Sequence, residues 1–81
     1  MPEPSVAERV AQIVALVLDV DPATAATLSA DSSPEWDSLR HIEIILAVED
    51  EFGIVVPEAS FGSVGSLAAM TAFVESTHAA R

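Results

Sequence analysis

The sequence predicts an all-α fold, a small four-helix bundle with three main helices and one short helix. Three long stretches place apolar residues at the spacing of an amphipathic helix, and each begins near a residue that caps helices. One brief apolar run, Ile54–Pro57, has the composition of a strand, but the chain offers no second strand to pair with it. A chain of 81 residues with no internal repeat and no linker is expected to fold as one domain over residues 1–81.

The first predicted helix begins after Pro4, where Ser5-Val6-Ala7-Glu8 has the spacing of a capping box. It ends at Asp19-Val20-Asp21-Pro22, because the residue before a proline disfavours helical backbone. The loop that follows is predicted to contain a short turn over Ala23–Leu28, with Leu28 entering the core. The apolar stripe of the first helix comprises Val6, Val10, Ile13, Val14, Val17 and Leu18.

The chain after Gly53 is predicted to contain the short helix and the last long one. Glu58–Phe61 follows a proline and is expected to form the short helix, with Phe61 turned inward. Ser63 is predicted to cap the final helix, over about Val64–His78. The buried stripe of that helix comprises Val64, Leu67, Met70, Phe73 and Val74.

The central helix is predicted over Ser38–Phe52. Pro34 breaks any helix before it, Asp37 can accept hydrogen bonds from the first backbone N–H groups, and Gly53 can adopt the left-handed backbone that closes a helix. At about 100° per residue, four apolar side chains fall in one sector wide enough to be the buried stripe. They are Ile44, Ile45, Val48 and Phe52.

A second apolar stripe, formed by Leu39, Ile42 and Leu46, lies on the opposite side of the same helix. So small a domain cannot easily bury both stripes, so the second one is interpreted as a docking surface. The alternative is a central helix that the rest of the chain covers on both sides. The acidic residues that flank the second stripe are Glu43, Glu49 and Asp50.

The acidic composition of the chain limits the classes of molecule that it is expected to bind. The formal net charge is −10, which repels nucleic acid and anionic membranes and favours partners with basic patches. Close acidic side chains also repel one another, so salt or divalent cations should stabilise the fold. The chain has no cysteine, so any thiol chemistry must be brought in. No apolar run approaches the roughly 18 residues of a membrane span, and Met1-Pro2-Glu3-Pro4 lacks the basic start of a signal peptide, so a cytoplasmic location is expected. A monomer is expected too.

The motif Asp37-Ser38-Leu39 begins the central helix, which contains Glu43 and closes with Glu49-Asp50-Glu51-Phe52-Gly53. This combination resembles the acyl carrier protein family. The resemblance extends over nearly the whole chain and implies the acyl-carrier type of helical bundle. In that family the serine after the aspartate carries a 4'-phosphopantetheine arm, which a phosphopantetheinyl transferase supplies from coenzyme A. The arm ends in the thiol that this chain lacks and carries acyl groups as thioesters.

The resemblance implies a role for each matching residue. Ser38 would be the attachment site, and Asp37 would combine helix capping with recognition by the transferase, close to its metal-bound coenzyme A. The chain itself would not be an enzyme but a carrier for fatty acid, polyketide or related specialised biosynthesis. Its partners would be acyl-loading, acyl-transferring or condensing enzymes with basic patches. The partner-binding face would comprise Leu39, Ile42, Glu43, Leu46, Glu49 and Asp50.

Three features depart from the fatty-acid carriers of this family: Glu35-Trp36 before the motif, Arg40 and His41. Fatty-acid carriers commonly have small residues where Glu35-Trp36 stands, and the tryptophan resembles carriers of specialised metabolism. Arg40 brings a positive charge close to the arm. The angular position of His41 on the helix predicts a partly buried, hydrogen-bonded histidine.

Two other functions remain open at the level of sequence. One is an aminoacyl or peptidyl carrier, although Asp37 favours an acyl carrier, because peptidyl carriers commonly have histidine at that position. The other is an unmodified acidic helical adaptor that binds a basic partner through the second stripe. A hydrolase is disfavoured, because no strand presents Ser38 as a nucleophile and Gly62-Ser63-Val64-Gly65 lacks the G-x-S-x-G spacing. A metal site is disfavoured too, because the consecutive acids Glu49-Asp50-Glu51 lie on a helix and point in different directions.

Overall fold

The computed structural model describes residues 5–79, with side chains up to residue 77. It confirms the predicted all-α bundle, and within the described residues the only β-type pairing is an isolated bridge between Ser29 and Ser66. The helices, in chain order, are α1 (Val6–Leu18), α2 (Pro22–Ala25), α3 (Ser38–Phe52), a 3₁₀ helix (Glu58–Ser63) and α4 (Leu67–Ala79).

The predicted capping box is present at the start of α1. The Ser5 hydroxyl accepts a hydrogen bond from the Glu8 N–H at 3.1 Å, and the Glu8 carboxylate accepts one from the Ser5 N–H at 3.1 Å. The helix closes at Asp19, whose backbone is left-handed with φ of 59°. Both ends of α1 therefore follow from local sequence chemistry.

The predicted turn after α1 is present as α2 and the turn that follows it. The Asp21 carboxylate accepts a hydrogen bond from the Thr24 N–H at 2.8 Å, and this bond lowers the pKa of Asp21. Ala25 is buried, and Leu28 packs against the core as predicted. The loop between α1 and α3 thus contributes apolar side chains to the bundle.

The final helix begins at Leu67, three residues later than the sequence predicted. The proposed Ser63 cap is wrong: the Ser63 hydroxyl donates to the Ser60 carbonyl and so belongs to the 3₁₀ helix. Residues 64–66 are not helical, and the Gly65 carbonyl accepts a hydrogen bond from the Ala30 N–H at 2.7 Å. The first turn of α4 is capped by the Ser66 hydroxyl, which accepts from the Ala69 N–H at 3.1 Å.

One hydrophobic core holds the elements together, with α1 packed against α2, α3 and α4. Met70 is fully buried, as expected of a core residue, and Phe61 packs against the core from the 3₁₀ helix. Trp36 is the largest fully buried side chain, at 1% exposure. The buried apolar residues are Val10, Val14, Ala15, Leu18, Ala25, Trp36, Ile44, Ile45, Val48, Phe52, Ile54, Val56, Val64, Met70 and Val74.

Two arginines form contacts between α1 and α3, which pack antiparallel to each other. Near the start of α1, the Arg9 guanidinium pairs with the Glu51 carboxylate at 2.6 Å and lies 4.4 Å from the centroid of the Phe52 ring. At the other end, Arg40 in the first turn of α3 donates to the Val17 carbonyl at 2.8 Å. Each arginine thus joins the start of one helix to the end of the other.

Gly53 and Gly62 provide a matched test of how α3 ends. Gly53 has φ of +64°, and an added Cβ would meet nothing within 4 Å at either glycine. The left-handed backbone therefore makes Gly53→Ala destabilising by about 1 to 2 kcal/mol through backbone strain alone. Gly62→Ala is expected to change stability by less than about 0.5 kcal/mol. Urea denaturation of both variants checks this, and equal stabilities would contradict the assigned closure of α3.

Candidate functional site

Ser38 is the first residue of α3, and its side chain is exposed. The preceding residue, Asp37, caps the helix as predicted: its carboxylate accepts a hydrogen bond from the Arg40 N–H at 2.8 Å. The Asp37 carbonyl also accepts the first helical bond, from the His41 N–H at 2.9 Å. Ser38 is therefore held in a well-defined helical turn while its hydroxyl faces solvent.

The start of α3 has the electrostatics that a phosphate requires. The first N–H groups of a helix have no partner inside it, and the aligned peptide dipoles place partial positive charge at this end. Asp37 satisfies the Arg40 N–H, whereas the N–H groups of Ser38 and Leu39 precede the first intrahelical bond. A phosphodiester on the Ser38 hydroxyl would be stabilised there. The residues at this end of α3 thus fit a phosphate-linked arm.

The two apolar stripes of α3 have different environments. Ile44, Ile45, Val48 and Phe52 are buried, whereas Leu39 is 67% exposed, Ile42 46% and Leu46 58%. The alternative of a helix covered on both sides is therefore wrong. The exposed stripe starts one residue after Ser38 and runs along α3, so a protein that binds it would lie next to the Ser38 hydroxyl.

The acidic residues that were expected beside this stripe do not all have the same environment. Glu43 and Asp50 are exposed, and a Glu43 carboxylate oxygen lies 3.7 Å from Arg40 Nε. Glu49 is half-buried, and its carboxylate accepts a hydrogen bond from the Val56 N–H at 2.7 Å. Glu49 therefore holds the extended segment after α3 in place, a contact that the sequence analysis missed.

His41 is partly buried and hydrogen-bonded, as predicted, and both of its ring nitrogens have partners. Nδ1 lies 2.9 Å from the Trp36 indole nitrogen, and Nε2 lies 2.7 Å from the Phe61 carbonyl oxygen. Neither nitrogen is left to accept a proton from the Ser38 hydroxyl. The three residue types of a nucleophilic triad are present near Ser38, but their arrangement cannot activate it.

An all-α bundle that presents a serine at a positive helix end fits a carrier domain with a phosphate-linked arm. A family model described as "Phosphopantetheine attachment site" matches residues 8–74, and the chain belongs to this family. The expected cofactor, covalently attached 4'-phosphopantetheine, is thereby confirmed. A domain of this kind is a carrier and not a catalyst, and it interacts with a phosphopantetheinyl transferase and with partner enzymes. A search of curated proteins found no match.

Two further searches of the described residues concern membrane-spanning helices and clusters of metal-ligating side chains. Among the helices within residues 5–79, none is both long and apolar enough to cross a membrane. The same residues hold no cluster of three or more histidine, aspartate or glutamate side chains suited to a metal ion.

Glu49 and Asp50 are adjacent acids whose removal should have different effects. Glu49→Ala leaves the N–H of buried Val56 without its acceptor, at an expected cost of about 1 to 3 kcal/mol. Asp50→Ala should change stability by less than about 0.5 kcal/mol, because Asp50 is exposed. Thermal and urea denaturation measure both. A Glu49→Ala variant as stable as Asp50→Ala would show that this hydrogen bond does not hold the segment after α3.

Proposed function

We propose that this protein is an acyl carrier whose 4'-phosphopantetheine arm is attached to the hydroxyl of Ser38. The observation that carries the proposal is the exposed Ser38 side chain at the first position of α3, directly after the Asp37 cap. A serine there is accessible to a transferase, and its phosphodiester would face the positive end of the helix. When attached, the arm supplies the thiol on which an acyl group is carried as a thioester.

The partner-binding face in this proposal is the exposed stripe Leu39, Ile42 and Leu46 together with Glu43 and Asp50. Its apolar side chains supply contact area, and its carboxylates attract basic patches and orient them. We keep Glu49 as a residue at the border of this face, because one of its carboxylate oxygens is bonded to the Val56 N–H. The formal charge of −10 favours basic partners over the whole surface and opposes self-association, which supports a monomer.

The cargo class in this proposal is an acyl group rather than an aminoacyl or peptidyl group. Asp37 supports this choice, because peptidyl carriers commonly have histidine before the modified serine. The pathway is fatty acid, polyketide or related specialised biosynthesis in the cytoplasm. Trp36, which is buried beside the start of α3, supports the specialised branch.

The attachment site can be tested by intact mass. Incubation with coenzyme A, magnesium and a broad-specificity phosphopantetheinyl transferase should add one phosphopantetheine to the parent protein and none to Ser38→Ala. Ser76→Ala is the matched control, because Ser76 is an exposed serine in α4, and it should gain the same mass as the parent. Equal gains by the parent and by Ser38→Ala would contradict attachment at Ser38.

The second candidate function, an acidic adaptor, is favoured by the exposed stripe alone, since that stripe could bind a basic partner without any arm. The same Ser38→Ala variant separates the two functions. An adaptor binds its partner equally well without the Ser38 hydroxyl, whereas a carrier loses all of its cargo.

Reversal of charge on the partner-binding face should slow modification. Glu43→Lys combined with Asp50→Lys is expected to reduce the second-order rate of arm transfer by about tenfold or more at low salt, because charge complementarity governs association rate. The control is Glu58→Lys with Glu75→Lys, which changes net charge equally on exposed residues outside α3. Equal rates for the two double variants would remove the acidic-face mechanism, and circular dichroism checks that helicity is retained.

A further inference from the structure

Trp36, His41 and Phe61 form a hydrogen-bonded bridge that we call the latch. The Trp36 indole N–H donates to His41 Nδ1 at 2.9 Å, and His41 Nε2 lies 2.7 Å from the Phe61 carbonyl oxygen. Trp36 precedes α3, His41 is in its first turn, and Phe61 is in the 3₁₀ helix. The latch thus joins three separate segments at one imidazole ring.

Both hydrogen bonds of the latch form with only one protonation state and tautomer of His41. An indole nitrogen can only donate, so His41 Nδ1 must be the unprotonated acceptor. A carbonyl oxygen can only accept, so Nε2 must carry the proton and donate it to Phe61. Neutral His41 protonated at Nε2 satisfies both partners. Imidazolium has two N–H donors and no acceptor, so a protonated His41 would point an N–H at the N–H of Trp36.

The surroundings of the latch make that conflict costly. The Trp36 side chain is 1% exposed, so water cannot readily replace His41 as the acceptor for its indole N–H. The carboxylates on the latched segments are Glu35 and Asp37 before α3, Glu43, Glu49, Asp50 and Glu51 on α3, and Glu58 in the 3₁₀ helix; the cation Arg40 directly precedes His41. In the described part of the chain none of them forms an ion pair with His41, so no paired carboxylate compensates a charged ring.

The latch also encloses Ser38. The side-chain bond between Trp36 and His41 closes a loop over residues 36–41, with Asp37 and Ser38 inside it. The same loop contains the helix cap and the free N–H groups at the start of α3. Any change in the latch therefore acts on the backbone on both sides of the Ser38 hydroxyl.

We propose that protonation of His41 opens the latch, detaching Trp36 from α3 and loosening the first turn that presents Ser38. The latch is a proton-sensitive device next to the attachment site, and its regulatory consequence rests on the proposed attachment at Ser38. With the latch open the first turn is less ordered, so transfer of the arm to Ser38 is slower.

The opening can be followed by nuclear magnetic resonance of the unmodified full chain, titrated from roughly pH 8 to pH 5, where imidazoles change charge. Trp36 is the only tryptophan, so its indole N–H gives a single unambiguous signal. At pH 8 the His41 ring should show a proton on Nε2 and none on Nδ1. The indole N–H and the Phe61 carbonyl carbon should shift together with protonation of the ring. An indole signal that stays at its pH 8 position while the ring becomes charged would overturn the proposal.

One variant of the latch and one control variant separate the latch from general effects of acid. His41→Asn retains an acceptor near the Nδ1 position and does not titrate, so its indole signal should not respond to pH over this range. His78→Gln removes the other histidine, which lies near the end of α4, and should titrate like the parent. A pH response of the indole that persists in His41→Asn, or is lost in His78→Gln, would contradict the latch. If His41→Asn does not fold, the parent and His78→Gln titrations decide the question.

The regulatory consequence has its own readout. The rate of arm transfer to the parent, divided by the rate to His41→Asn, removes the pH dependence of the transferase itself. This ratio should fall as the pH is lowered through the range in which the indole signal of the parent shifts, by about fivefold once the latch is open, a coupling at the low end of the usual range. A constant ratio would overturn the regulation. The indole titration needs no modification of Ser38, and the mass test of Ser38 needs no latch, so failure of either proposal is distinguishable from failure of the other.

Discussion

The constraint on which the structure depends is that α3 has two apolar faces and the domain covers only one. Ile44, Ile45 and Val48 are nearly inaccessible to solvent, and the rest of the chain packs around them. The opposite stripe stays exposed at Leu39 and Leu46. A domain of this size stabilises itself mainly by burying apolar surface, and we propose that the exposed stripe on its central helix is retained for binding.

Charge is distributed to support that arrangement. Arg9 and Arg40 are the only basic side chains in the described part of the chain apart from the histidines. Both form hydrogen bonds between α1 and α3. Their contacts join opposite ends of the two helices, which sets the direction of α3 and therefore the location of Ser38. Arg40 also lies 3.7 Å from Glu43, so one acid on the outward surface of α3 is partly compensated, whereas exposed Asp50 forms no ion pair within the described residues.

Several helix ends were predictable from the sequence, because contacts between neighbouring residues determine them. The capping box at Ser5 gave the start of α1, and the cap at Asp37 and the left-handed closure at Gly53 gave both bounds of α3, because each acts within a few residues. The features that sequence missed depend on contacts between distant segments. Before the start of α4, the Ala30 N–H donates a hydrogen bond to the Gly65 carbonyl. The role of Glu49 depends on the Val56 N–H, which donates to the Glu49 carboxylate. Periodicity placed His41 near the core, but it could not supply the Phe61 carbonyl as its partner.

We propose that the exposed residue at the first position of α3, Ser38, carries the phosphopantetheine arm. The most direct measurement is fragmentation of the modified, full-length protein in a mass spectrometer, with the added mass localised along the chain. With the arm on Ser38, every fragment containing Ser38 carries the added mass, and fragments ending at Asp37 or beginning at Leu39 do not. An arm localised to any other serine would contradict the account.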